Sequence, residues 1–337
     1  MTPLPKNPES VIVSLSNRYF SNMKHFFTVC LAVLTALCAF GPSAFAQAGE
    51  TRTVPLVVIK STGQIVTGLT AEDIGVRGLK ATVRSIALDT GPRHIILLFD
   101  TSGSMAEGDH PQKLLAAKRM AKTFLERLPA QDFVALDVFA QTEKQIVPFT
   151  HDFVSIADAI DSLPEPKDTT APGDALSSAL REMGSKLSFG DSVIFFSDGE
   201  FATDKSRTSL HSLIPDLERR GIRTFLELTP APESEGLPEE EYFASVRDAA
   251  DFMATTGGYS FAPWVMSPIS GLQVLSARSA EYQMAALRDS VQGTYRVELY
   301  VGEPLRKKQR LEVKVSNGKS KAMHNLFLFY PRELYPN

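Results

Sequence analysis

The middle of the chain alternates between short apolar runs and longer segments with helical spacing. His94–Phe99 and Val193–Ser197 are almost continuously apolar, as expected of strands that are buried on both faces. Between them, Pro111–Leu128 places its apolar residues on one helical face, and Phe133–Ala140 is again apolar enough for a strand. Each predicted strand is therefore followed by a predicted helix or leads to one.

The same alternation continues toward the carboxyl terminus. We predict further helices over 153–163, 174–187, 210–220 and 239–255, a strand over 222–228 and a short closing strand over 259–262. Strands that alternate with helices favour an α/β fold, a doubly wound and mostly parallel sheet with helices on both faces. This Rossmann-like domain is predicted over residues 91–265.

Both flanks of this region have strand character instead. Thr53–Leu88 is rich in β-branched residues and glycine without a helical period, and Tyr295–Val301 and Leu311–Val315 alternate between apolar and polar residues. We predict that the amino-terminal segment (47–90) and the carboxyl-terminal segment (266–337, a helix and strands) pack together as one small β-sandwich. Two separate β appendages are the alternative.

The first 46 residues are typical of a secretory signal peptide. An uncharged apolar run, Phe26–Phe40, follows Lys24 and precedes Ala44-Phe45-Ala46, a small-x-small exit. The run of roughly 15 residues is short for a membrane span, which needs about 20. We expect cleavage before Gln47, with an uncleaved anchor as the alternative. Because Met23 directly precedes Lys24, residues 1–22 could reflect a misassigned start.

Removing this segment changes the charge and the cysteine count. Residues 1–46 carry a net +2 and the chain −4, so the remainder carries −6, and both cysteines, Cys30 and Cys38, lie in the apolar run. An exported, mildly acidic protein is a poor candidate for binding nucleic-acid phosphates. Without cysteine it has no disulfide and no thiolate metal site. We therefore expect a periplasmic or secreted protein with no stable membrane span and no nucleic-acid partner.

Oxygen-bearing side chains collect where the predicted strands end. Asp100, Ser102 and Ser104 follow the first apolar strand, and Gly103 lets the backbone turn between the serines. Asp198 follows the second apolar strand, and Thr170 precedes a predicted helix. Carboxyl ends of parallel strands share one edge, where such folds bind ligands. An all-oxygen set suits a hard cation, Mg²⁺ above all, with Mn²⁺ or Ca²⁺ as alternatives.

These motifs resemble the metal-ion-dependent adhesion site of von Willebrand factor type A domains. The resemblance rests on DTSGSM at 100–105, a threonine four residues before Asp174, and SDG at 197–199, and it covers roughly 92–265. The flanking VTGLTAEDI (66–74) and YRVELYV (295–301) resemble an exported subgroup prominent in acidobacterial genomes. The threonine loop departs from the usual Gly-Gly-Thr, reading Asp168-Thr169-Thr170, which leaves the choice of threonine open; its spacing from Asp174 favours Thr170.

The resemblance implies a binding module and not an enzyme. Its metal ligands would be Asp100, Ser102 and Ser104, with Thr170 binding directly or through water and Asp198 through water. The metal would then accept a Glu or Asp side chain from another protein. A Mg²⁺-dependent hydrolase and a structural subunit of an envelope assembly are the alternatives; the sequence has no H-E-x-x-H motif to favour the former.

Two acidic segments near this edge have their own interpretations. Glu107 and Asp109 could form a second cation site or a solvated loop, and the glutamate-rich 232–241 could rim the ligand face or be a surface loop.

Overall fold

The computed structural model describes residues 49–60, 64–106, 112–167, 169–201, 206–229, 239–261, 280–316 and 326–337. The predicted signal peptide, 1–46, lies outside these residues, as do Glu107, Asp109, Asp168 and most of the glutamate-rich segment.

The secondary structure alternates as the sequence predicts. The strands are β1 (Glu50–Lys60), β2 (Ile74–Arg77), β3 (Ala81–Leu88), β4 (His94–Asp100), β5 (Phe133–Phe139), β6 (Glu143–Thr150), β7 (Ser192–Ser197), β8 (Arg223–Leu228), β9 (Ser260–Phe261), β10 (Tyr295–Val301), β11 (Gln309–Arg310), β12 (Glu312–Val315), β13 (Leu326–Phe329) and β14 (Glu333–Leu334). The α-helices are α1 (Gln112–Leu125), α2 (Phe153–Asp161), α3 (Pro172–Met183), α4 (Leu210–Arg220), α5 (Glu239–Thr255) and α6 (Ala280–Gln292).

The central sheet has the strand order β6-β5-β4-β7-β8-β9. All neighbouring pairs are parallel except β5 with β6, so the predicted mixed α/β class with a mostly parallel sheet is confirmed. Successive residues of β4 pack on opposite sides: Ile95 and Leu97 enter one apolar core, and Ile96 and Leu98 enter the other. This two-sided burial explains why the strand reads as an unbroken apolar run.

Strand β6 is an edge strand that the sequence analysis did not predict. It runs antiparallel to β5 and is mostly half-exposed, with Pro148 within it. A proline cannot donate a ladder hydrogen bond, so it fits an edge strand and weakens the sequence signal for one.

The two flanks pair with each other in small sheets, and their packing as one β-sandwich stays a prediction. Strand β1 pairs antiparallel with β10 on one side and with β13 on the other, in the sheet order β13-β1-β10-β3. Val54, Leu56 and Val58 pack with the strand pair β2–β12, whereas Val57 and Ile59 join the core that contains α6. The apolar run in β1 therefore serves two cores. The domain boundaries at 90 and 265 stay predictions.

A buried ion pair ties this assembly to the α/β region. Both oxygens of Glu218 in α4 accept hydrogen bonds from Arg52 Nη2 of β1 at 2.9 Å, and the two side chains are 2% and 5% exposed. Arg52 also donates to the carbonyl oxygen of Tyr335. Burial of a carboxylate requires such partners, so this contact helps to fix β1 against α4.

Within the part of the chain that the structure describes, no helix is long and apolar enough to cross a membrane.

Candidate metal-binding site

Asp100 is the last residue of β4, and its carboxylate is held by two short hydrogen bonds. The backbone N–H of Ser102 donates to Oδ1 at 2.8 Å, and the hydroxyl of Ser197, the last residue of β7, donates to Oδ2 at 2.7 Å. Asp100 is 1% exposed. Because β4 and β7 are parallel neighbours, their carboxyl ends lie side by side and bring these residues together.

The serine loop after Asp100 is anchored to the neighbouring strand. The N–H and the hydroxyl of Thr101 both donate to the carbonyl oxygen of Phe139, at 2.7 and 3.0 Å. A short 3₁₀ turn over Gly103–Ala106 follows. The hydroxyl oxygens of Ser102 and Ser104 lie 3.3 Å apart. Two hydroxyls and one carboxylate therefore sit on one fixed turn.

Asp198 follows β7 and is fully buried. The backbone N–H of Glu200 donates to its Oδ1 at 3.2 Å, and the ammonium of Lys113 in α1 donates to its Oδ2 at 2.8 Å. The Lys113 ammonium also lies 3.6 Å from Oε1 of Glu200. Lys113 is itself only 2% exposed, so the pair is formed away from solvent.

Burial, together with the nearby negative charge of Asp198, raises the pKa of Asp100 to about 7. The hydrogen bonds from Ser102 and Ser197 act in the opposite direction. A raised carboxyl pKa means that the surroundings of Asp100 supply too little positive charge for its ionised form. A cation at this position would supply that charge.

Thr170 is 2% exposed and its hydroxyl has no hydrogen-bond partner among the described residues. Its loop is tied to the serine loop through the N–H of Lys167, which donates to the carbonyl oxygen of Thr101 at 2.9 Å. Helix α3 begins at Pro172, whereas the sequence predicts its start two residues later, at Asp174. The carboxylate of Asp174 accepts the N–H groups of Arg207 and Thr208 at 2.9 and 2.8 Å and so fixes the adjacent loop.

The structure thus brings four of the five predicted ligands into one cluster. Hydrogen bonds and electrostatic contact connect Asp100, Ser102, Ser104 and Asp198. Thr170 is linked to the cluster through the backbone of its loop. Assignment of all five as metal ligands stays a prediction.

Two residues of the cluster were not singled out from the sequence. Ser197 was noted as part of SDG, but its bond to Asp100 depends on the register of β4 and β7. Lys113 lies in the first turn of α1, next to the apolar position Leu114, and the sequence pattern does not distinguish it from a surface lysine.

The side chains present fit a hard divalent cation. No group of three or more His, Cys, Asp or Glu side chains that could hold a metal occurs among the described residues, so a site here depends on carboxylate and hydroxyl oxygens together. The buried hydroxyl of Thr170 and the two close serine hydroxyls are donors of the kind that Mg²⁺, Mn²⁺ and Ca²⁺ accept.

Residues 95–200 match the family model of the von Willebrand factor type A domain. This segment runs from β4 to just beyond β7 and contains Asp100, Ser102, Ser104, Thr170 and Asp198. The match confirms the type of domain expected from the sequence. The adhesion-type metal site and the exported acidobacterial subgroup stay predictions. No similar sequence was found among curated proteins.

Several solved structures are similar at low identity. A von Willebrand factor type A protein from Catenulispora acidiphila is 14% identical with a TM-score of 0.43, and the similarity covers 87% of this chain and 75% of that one. The conserved hypothetical protein BatB from Bacteroides thetaiotaomicron is 19% identical with a TM-score of 0.43, over 59% of this chain and 98% of that one.

Proximal thread matrix protein 1 from the mussel byssus, with a zinc-occupied MIDAS motif, is 16% identical with a TM-score of 0.40, over 63% of this chain and 48% of that one. At these values the three similarities say nothing about what this chain binds.

Proposed function

We propose that the von Willebrand factor type A domain of this chain is a divalent-cation-dependent module that binds another protein. Asp100, Ser102 and Ser104 would bind the metal directly, Thr170 directly or through water, and Asp198 through water. Mg²⁺ is the expected ion, with Mn²⁺ or Ca²⁺ as alternatives. The partner would offer a Glu or Asp side chain, and we propose no enzymatic activity.

The observation that supports this function best is the arrangement around Asp100. Its buried carboxylate is fixed by Ser102 and Ser197, and the hydroxyls of Ser102 and Ser104 lie within 3.3 Å of each other on the same turn. Fixed oxygen donors bind a cation with little loss of side-chain entropy on binding.

The residues of the chain have separable roles in this proposal. The N–H of Ser102 and the hydroxyl of Ser197 orient the carboxylate of Asp100, and the bonds of Thr101 to Phe139 hold the loop against β5. When bound, the metal would supply an electrophilic position for the partner's carboxylate. A charge-assisted contact of this kind in a partly dry interface favours both affinity and specificity.

We further propose that the protein is exported, on the basis of the apolar run over 26–40 and the Ala44-Phe45-Ala46 exit. Amino-terminal sequencing of the protein recovered outside the cytoplasm is expected to begin at Gln47. A first residue within the apolar run or before it would contradict the cleavage prediction.

The two alternative functions differ from this one in measurable ways. A hydrolase would need a general base near the metal, but His94 lies at the opposite end of β4, about 20 Å from Asp100 at the usual rise of a strand. A structural subunit in which the metal only braces the loop would bind its partner equally well without metal.

Calorimetric titration of Mg²⁺ and Mn²⁺ into the metal-free protein tests the proposal. The wild type is expected to show saturable binding, and an Asp100→Ala, Ser102→Ala double variant is expected to show none. Exposed Ser155→Ala in α2 serves as a matched control that should bind as the wild type does. An absence of binding in a correctly folded wild type would overturn the proposal, whereas saturable binding would justify a metal-dependent search for partners.

A further inference from the structure

The ion pair between Lys113 and Asp198 is unusual because both charges are out of water. Lys113 is 2% exposed and Asp198 is 0% exposed, and the Nζ–Oδ2 distance is 2.8 Å. An unpaired buried carboxylate would be strongly unfavourable, so the Lys113 ammonium is needed to offset the charge of Asp198. The lysine belongs to α1, whereas Asp198 follows β7, so the contact depends on the folded structure.

This pair lies within the proposed metal site. Asp198 is the predicted water-mediated ligand, and its negative charge interacts electrostatically with Asp100. Glu200, whose N–H donates to Asp198, also lies 3.6 Å from the same ammonium. A cation is thus already present in the chain beside the oxygens that would receive a divalent ion.

We propose that Lys113 is an internal counter-cation that stabilises the metal-free site and lowers its affinity for divalent metal. The inference rests on the proposed function, because it concerns the same site. Two cations close together repel each other, and the repulsion is stronger in a buried pocket than in water. Because Lys113 offsets one of the negative charges of Asp100, Asp198 and Glu200, less negative charge is left to balance a divalent ion. The carboxylate of an acidic partner would then complete the balance, so metal and partner would favour each other's binding.

The proposal predicts opposite effects of the Lys113 charge on metal affinity and on metal-free stability. Lys113→Gln keeps a hydrogen-bond donor but removes the charge, and Lys113→Arg keeps the charge. We expect Lys113→Gln to bind Mn²⁺ at least tenfold more tightly than the wild type in calorimetry, which is about 1.4 kcal/mol. We expect it also to melt at a lower temperature in EDTA and to gain more from added Mn²⁺ than the wild type does. Lys113→Arg should resemble the wild type in all three measurements.

Lys118→Met is the matched control. It lies five residues further along α1, is half-buried and donates to the carbonyl oxygens of Asp161 and Leu163, away from the site. Its Mn²⁺ affinity should equal that of the wild type.

The outcomes separate this inference from the proposed function. If the wild type binds Mn²⁺ and Lys113→Gln binds equally or more weakly, the counter-cation role is wrong and the metal site stands. If Lys113→Gln is less stable both with and without Mn²⁺ by the same amount, Lys113 has only a structural role. If no variant binds metal, both ideas fail together. Should Lys113→Gln not fold, Lys113→Met measured at low temperature removes the same charge together with the hydrogen-bond donor, and tighter Mn²⁺ binding than in the wild type is still expected.

Discussion

Asp137 is a carboxyl group in the middle of a buried strand, and its replacement by asparagine should change how stability depends on pH. Asp137 is 0% exposed, and its carboxyl lies close to that of Glu143 in β6. Burial, together with the nearby carboxyl of Glu143, raises the pKa of Asp137 to about 8. The pKa of Glu143 is itself raised, mainly by burial.

The direction of the pH effect follows from proton binding. Between the ordinary aspartate pKa near 4 and the folded value of about 8, the folded protein holds a proton on Asp137 that the unfolded chain has released. Rising pH therefore favours unfolding: the contribution of Asp137 is fully present below pH 4 and is lost as the pH rises toward 8. One proton corresponds to about 1.4 kcal/mol per pH unit. Relaxation of the site and its coupling to Glu143 reduce this slope, so we expect about 2 kcal/mol between pH 6 and pH 8.

Urea unfolding followed by circular dichroism at pH 5, 6, 7 and 8 measures this effect. Asp137→Asn is neutral and nearly the same shape, so its unfolding free energy should fall less with rising pH than that of the wild type. Other buried carboxyl groups also titrate, so the informative quantity is the difference between the two proteins at each pH. That difference should grow in favour of Asp137→Asn from pH 6 to pH 8.

The control is Asp152→Asn, which removes the exposed N-cap carboxylate of α2. The pKa of Asp152 is lowered by its hydrogen bonds to Ser155, so it is ionised throughout this range and its variant should differ from the wild type by a constant amount. If the curves of the wild type and Asp137→Asn run parallel between pH 6 and pH 8, Asp137 is ionised in the folded protein and the reasoning is wrong.

Two further predictions concern packing. Glu218→Ala removes the closer carboxylate partner of the buried Arg52 and leaves Glu50 at 3.5 Å, so it should cost about 3 kcal/mol of unfolding free energy in urea. Asp161→Ala, which removes an exposed ion pair, should cost under about 1 kcal/mol, and equal losses would contradict the role given to burial. Gly173→Ala would place Cβ against the Thr208 carbonyl oxygen and should lower the melting temperature by several degrees, whereas Gly302→Ala meets nothing within 4 Å and should change it little; similar shifts would show that α3 adjusts freely.

The central sheet could be predicted because strands that are buried on both faces are apolar at every position. Ile95–Phe99 and Val193–Phe196 are apolar at every position, and the structure buries each of them completely. The edge strand β6 lacks this pattern, because its residues are mostly half-exposed and Pro148 interrupts the strand. A period of two is weak when neither face is fully buried, and the hairpin from β5 was missed for that reason.

The candidate site was predictable to the extent that it follows from strand ends. Asp100 and Asp198 each come directly after an apolar strand, and parallel strands bring such positions to one edge. Asp137 shows the limit of the same reasoning, because a carboxyl group inside a predicted strand gave no indication of its protonation. Its pKa depends on Glu143, which lies on the strand that the sequence did not predict.

The charge balance of the site cannot be predicted from sequence patterns, because it depends on how distant elements pack. Lys113 and Asp198 are 85 positions apart, and Lys113 precedes the apolar face of α1 as many solvent-exposed lysines do. Only the packing of α1 beside β7 turns this lysine inward and places its ammonium on a predicted ligand. An oxygen motif therefore predicts which atoms could hold a metal, whereas metal affinity also depends on charges brought in by other elements. Among the described residues, the Lys113 ammonium is the charge that we propose for this role, and replacing it while keeping a hydrogen-bond donor is the direct way to separate the two factors.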